Sequence, residues 1–135
     1  MAATQTINKP ISGLNRTMRI LYSVFAWLFA LCLLIQVFLA GLSIFVSASL
    51  ISLHVSFVHL FEFVPLLLLI FSLLARFPRV IPWLSLLLIV QIASQYALIQ
   101  IPVPYLAAFH PVNAVIMFWV TLYVARRSMT ANKIS

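Results

Sequence analysis

Ser56-Phe-Val-His-Leu-Phe-Glu-Phe-Val-Pro-Leu-Leu-Leu-Leu-Ile-Phe-Ser-Leu-Leu-Ala75 is apolar almost throughout, yet it carries His59 and Glu62, and Glu62 is the only acidic side chain in the protein. Twenty residues of this kind match the thickness of a hydrocarbon core of about 30 Å. An ionisable group inside such a span is costly, so it faces a protein interior and marks a cofactor, ion or proton site. The rest of the chain is read by asking what stands opposite these two residues.

Hydrophobic residues make up 65% of the 135 positions and charged residues 7%. Soluble domains are nearer one half apolar and one quarter charged, so the composition excludes an ordinary soluble domain. The length accommodates four spans of about 20 residues with short connections. The expected fold is an all-α integral membrane protein, an antiparallel four-helix transmembrane bundle. Its helices are expected at about 20–46, 56–75, 81–100 and 104–125, within a bundle covering 19–127. Residues 1–18 form a polar cytoplasmic lead and residues 128–135 a cytoplasmic tail.

The eight basic residues are Lys9, Arg16, Arg19, Arg76, Arg79, Arg126, Arg127 and Lys133. They precede the first apolar run, separate the second from the third, and follow the fourth. Four spans bring these three clusters to one side, and the positive-inside bias then places both termini in the cytoplasm of a prokaryotic inner membrane. Lipid headgroups of the cytoplasmic leaflet account for the net charge of +7. Nucleic acid is excluded as a partner because no basic and aromatic platform lies outside the apolar runs.

Within the first span, Cys32, Gln36, Ala40 and Ser43 form a small and polar stripe, which permits close helix approach in lipid. Cys32 is the only cysteine, so no intrachain disulfide or thiolate cluster forms. His54 falls in the Ser-rich outer connection and is read as an interfacial residue. His59 and Glu62 are three apart and share a face. Pro65 withdraws a backbone donor, leaves the Phe61 carbonyl unpaired and kinks the second helix. Gln91, Ser94 and Gln95 give the third helix its polar surface. Ile101-Pro-Val-Pro104 makes the third and fourth helices antiparallel neighbours. Starting the fourth helix at Pro104 places His110 inside it, with Asn113, Met117 and Thr121 on the same face.

Counting from the basic boundary, His59 is 17 residues above Arg76, His110 is 16 above Arg126 and Gln36 is 17 above Arg19. At 1.5 Å per residue all three sit about 24–26 Å up. Two histidines at one level on alternate helices of a bundle, with glutamine beside them, are arranged to ligate a haem iron from both faces.

Leu33-Leu-Ile-Gln-Val-Phe-Leu-Ala-Gly-Leu42, the histidine opening the second span, Gln91, and Ala108-Phe-His-Pro-Val-Asn-Ala114 resemble a family of small bacterial four-span membrane proteins. The similarity covers about residues 18–127. More distantly, this order of features resembles one four-helix half of haem A synthase, with a histidine on its second and fourth helices. That resemblance implies haem b held by His59 and His110 as axial ligands, with Gln36 and Gln91 near the cofactor, and an electron-transfer or haem-related redox role. The chain corresponds to a single half, so a homodimer or a larger membrane complex would be needed to rebuild eight helices.

Two other classes compete. Glu62 as a titrating group with His59 as relay would make a proton or ion pathway. An accessory subunit, which could carry a pigment, would use the histidines for helix contacts and the apolar exterior to pack on larger partners. Soluble hydrolase and nucleotide chemistry find no foothold: there is no Asp, and the only glycines are Gly13 and Gly41.

Overall fold

The computed structural model describes residues 13–133. Helix α1 is Gly13–Phe45, α2 is Ile51–Val58, α3 is Val64–Leu74, α4 is Val80–Gln100, α5 is Pro104–Ala107 and α6 is Phe109–Lys133, with a single 3₁₀ turn at Ala48–Leu50. Among the described residues there is no strand. Three stretches are long and apolar enough to cross a membrane, Gly13–Phe45, Val80–Gln100 and Pro104–Ala131. The protein is therefore a helical membrane protein. Residues 1–12 of the expected cytoplasmic lead, and residues 134–135 of the expected tail, lie outside the described residues.

The second apolar stretch departs from the continuous helix expected over 56–75. It starts earlier, at Ile51, and breaks at residues 59–63 before resuming as α3. Pro65 causes the break: it has no N–H to give the Phe61 carbonyl, and its ring excludes a normal helical turn behind it. The backbone tightens instead. Leu60 N–H donates to Phe57 O (3.1 Å), Phe61 N–H to Val58 O (3.1 Å), and Val64 N–H to Phe61 O (2.9 Å). These are i to i−3 bonds, and the last corrects the expectation that Phe61 O is left unpaired. A second interruption falls at Ala108, between α5 and α6, next to Pro111. The helix expected to end near residue 125 runs on to Lys133.

Helix α1 packs on α2, α3 and α6, α3 on α4, and α4 on α6. The buried side chains recur at alternating spacings of four and three: Tyr22, Ala26, Phe29 and Leu33 on α1; Pro65, Leu68 and Ser72 on α3, flanked by Phe61 and Ala75; Ile81, Ser85 and Leu88 on α4; Met117, Thr121, Val124 and Ser128 on α6. A 4–3 repeat is the seam of helices packed at small crossing angles. Apolar side chains such as Leu34, Phe38, Leu66, Val90 and Val115 point away from it and are exposed, as lipid-facing residues are.

The basic end is tied together. Arg19 donates from Nε to Ala75 O (3.3 Å) and from Nη1 to Ala131 O (3.0 Å), and its guanidinium lies 5.1 Å from the centre of the Phe77 ring. Tyr22 and Ser85 hydroxyls are 3.0 Å apart, and those of Ser23 and Ser128 are 2.8 Å apart. At the end of α3, Arg76 adopts φ 51°, while Phe77 N–H reaches back to Ser72 O (3.2 Å). This closure favours glycine at the left-handed position.

The far end is open. Past Leu33 in α1, past Gln91 in α4, before Met117 in α6, and throughout α2 and α5, no described residue is buried. Helix α2 packs on α1 but not on α4 or α6. The closed half and the open half meet at the level of Gln91 and Met117.

Candidate functional site

Gln36, His54, Gln91, Gln95, His110 and Asn113 collect at the rim of the open half. On α1 and α2, Gln36 and His54 bind each other twice: Gln36 Nε2 donates to His54 O (2.9 Å), and His54 Nδ1 lies 3.0 Å from Gln36 O. On α4 and α6, His110 Nδ1 lies 3.2 Å from Gln95 O. The His54 and His110 rings face each other across the opening with centroids 6.3 Å apart and planes inclined by 58°.

Both imidazoles thus engage a backbone carbonyl through Nδ1, and a carbonyl only accepts. For His54, Nδ1 therefore carries the proton and Nε2 is left with its lone pair free, as in most histidines that ligate metals. Gln95 adds a second partner for His110. With its amide oriented to satisfy its neighbours, its nitrogen is 3.0 Å from both His110 O and His110 Nδ1, and its oxygen accepts from Ala114 N–H (3.2 Å). Gln95 can therefore hold either tautomer, accepting from Nδ1–H through its carbonyl or donating to Nδ1 through its amide. A metal on Nε2 selects the first.

Just inside the pair, Asn113 Nδ2 donates to Gln91 O (3.0 Å) and Gln91 Nε2 to Asn113 Oδ1 (3.5 Å), a rung between α4 and α6. Gln36 Oε1 and Gln91 Oε1 are buried with no hydrogen-bond partner among the described residues. Buried acceptors are normally satisfied, so two orphans flanking the rim leave acceptor capacity for something that enters it.

His59 and Glu62 lie in the interrupted turn. His59 Nδ1 is 3.1 Å from Glu62 Oε1, and the His59 side chain is 57% exposed against 18% for Glu62. Tyr96 of α4 donates its hydroxyl to the other carboxylate oxygen, Glu62 Oε2. The result is a His–Glu–Tyr chain across the gap between the break and α4.

Of the residues singled out in the sequence, Gln36, Gln91 and His110 line the rim, Glu62 binds His59 and Tyr96, and His59 does not meet His110. His54 takes that position. The level count points to His59 because it assumes a straight helix. Arg19 to Gln36 is 17 residues along α1, whereas Ala75 to His54, which bond to those same residues, is 21. Gln95, read as part of the polar surface of its helix, bonds across to α6, while Tyr96 escapes a reading by sequence because its partner comes from another element. Pro65, six residues beyond His59, is the signal that the straight-helix count fails above it.

Among the described residues, no three His, Cys, Asp or Glu side chains stand together to hold a metal ion. No curated protein and no solved structure matches the chain, so no relative carries the resemblance to haem A synthase. Residues 36–101, which begin at Gln36 and take in His54, His59, Glu62, Gln91 and Tyr96 but not His110, match a family of unknown function (DUF6220).

Proposed function

We propose that the chain is a four-helix inner-membrane protein, with both termini cytoplasmic, that binds one haem b in its open half for electron transfer, with His54 and His110 as the axial ligands. Three membrane-length stretches, and the two shorter apolar helices Ala48–Val58 and Val64–Leu74 that would pair as a fourth crossing, support this reading. The contacts of Arg19 with the ends of α3 and α6 gather basic residues at one end, in keeping with the positive-inside bias.

The observation that carries the cofactor is the spacing of the two rings. A metal–imidazole bond of about 2 Å, plus roughly 1.1 Å from the nitrogen to the ring centre, separates two centroids by about 6 Å when the ligands are trans, and by about 5 Å when they are tetrahedral. The observed 6.3 Å would suit two imidazoles holding one metal ion between them. With no third protein ligand beside them, His54 and His110 would leave the other positions to a macrocycle, which haem would supply. The residues present therefore fit the group. His59, turned outward onto Glu62, is not part of the proposed pair.

When bound, a six-coordinate haem supplies reversible one-electron chemistry. The chain's own contributions are the two Nε2 lone pairs, the carbonyls of Gln36 and Gln95 that hold the rings, and the apolar surround. The test is the haem content of protein purified from haem-replete cells, read as the pyridine haemochrome. The expectation is one haem b per chain. Haem-free protein under those conditions would overturn the proposal.

A second reading draws on the His59–Glu62–Tyr96 chain. The only carboxylate of the protein, placed in a helix break between an exposed imidazole and a phenol, is an arrangement for passing protons. It predicts a proton flux in liposomes that Glu62→Gln abolishes. An equal flux in protein-free liposomes would discard it.

A further inference from the structure

The basic end carries a groove that the account above does not use. It lies between α3 and α4, has a volume of about 350 Å³, and is lined by Leu69, Leu73, Arg79, Pro82, Trp83 and Leu86. That volume falls in the usual range of small-ligand clefts, about 300–1,000 Å³. Its wall is graded along the helices. Arg79 sits at the start of α4, Trp83 lies one turn above it with Leu73 of the last turn of α3 at about the same level, and Leu86 and Leu69 lie farther from the basic end.

Arg79 differs from Arg19. Arg19 is committed to two helix-end carbonyls and a ring. Arg79 is exposed and makes no ion pair among the described residues, and the chain's only acidic side chain is already held by Tyr96 and His59. A planar guanidinium binds a phosphate through two parallel N–H donors. An indole one turn farther in lies at the depth where tryptophan meets the glycerol region of a bilayer. Leu73 beside it and Leu69 and Leu86 beyond it present a strip of apolar surface to a chain of methylenes. An anionic head, an interfacial middle and an apolar tail thus meet matching side chains in that order.

We propose that this groove is a binding site for one acidic phospholipid, its phosphate on Arg79 and an acyl chain along Leu69, Leu73 and Leu86. The site stands apart from the histidine rim and does not depend on the haem reading.

The test uses the full chain in nanodiscs of equal parts phosphatidylglycerol and phosphatidylcholine, released and weighed by native mass spectrometry. One phosphatidylglycerol should remain bound per chain in preference to phosphatidylcholine. Arg79→Gln should lower that retention about fivefold, the change expected for one basic residue at an anionic leaflet. Arg127→Gln should leave it unchanged, and both variants should keep the helical circular dichroism of the parent. Added inorganic phosphate should not displace the lipid, because the acyl chain holds it as well. Equal retention of both lipids, full retention in Arg79→Gln, an equal loss in Arg127→Gln, or displacement by phosphate would each overturn the proposal.

Discussion

Gln36 and His54 hold each other in both directions, the glutamine amide on the histidine carbonyl at 2.9 Å and the imidazole on the glutamine carbonyl at 3.0 Å. Helix α2 also packs on α1, with Phe57 and Val58 against the core, but on neither α4 nor α6. The pair with Gln36 is what ties the His54 ring to α1.

Replacing Gln36 by Leu removes the donor to His54 O and keeps the volume roughly constant. Hydrogen bonds between membrane helices contribute about 0.6 kcal/mol on average and up to about 1.7. Gln36→Leu should destabilise the protein within that range in detergent-driven unfolding. Hydrogen exchange should also report a looser 51–58 segment, while the basic end keeps its protection.

Arg76 occupies a left-handed position, φ 51°, at the end of α3. A side chain there costs roughly 1–2 kcal/mol that glycine avoids. Glycine gives back part of that through its freer unfolded chain. Arg76→Gly should therefore stabilise by about 1 kcal/mol, seen as a shift of the unfolding midpoint with no change in slope.

Arg19 joins three elements, bonding the last turns of α3 and α6 from α1. Charge-assisted hydrogen bonds contribute about 1.5–3 kcal/mol when desolvated. Because this site is only part-buried and near headgroups, Arg19→Ala should cost about 1–2 kcal/mol in the same unfolding assay. Arg19→Lys should recover less than half of the loss, since one ammonium cannot reach both carbonyls and also lie flat over Phe77.

Tyr96→Phe removes the hydroxyl that Glu62 Oε2 accepts and leaves the carboxylate with His59 alone. The carboxyl bands of Glu62 in infrared difference spectra should shift on loss of that hydrogen bond, and a spectrum identical to that of the parent would contradict the contact.

The membrane class and helical content could be read from composition alone, because an apolar fraction of 65% admits few other solutions. The rim was legible in part. Gln36, Gln91 and His110 lie on uninterrupted helical stretches, where position along the chain converts directly into depth and face. His54 was not legible, because its depth depends on how the backbone crosses the break at 59–63, and that follows from where Pro65 sends the Phe61 carbonyl. Tyr96 and Gln95 look like any polar residues on a helix until their partners on other elements are known. A periodic pattern specifies a helix's own faces, while a broken helix and its cross-helix partners are set by tertiary packing.

The most direct test of the account is the dithionite-reduced minus oxidised visible spectrum of the purified protein beside His54→Ala, His59→Ala and His110→Ala. The proposed ligation predicts sharp α and Soret bands in the parent and in His59→Ala, and their loss or conversion to a five-coordinate spectrum in both His54→Ala and His110→Ala. An unaltered six-coordinate spectrum in His54→Ala, above all with loss in His59→Ala, would contradict the pairing of His54 with His110.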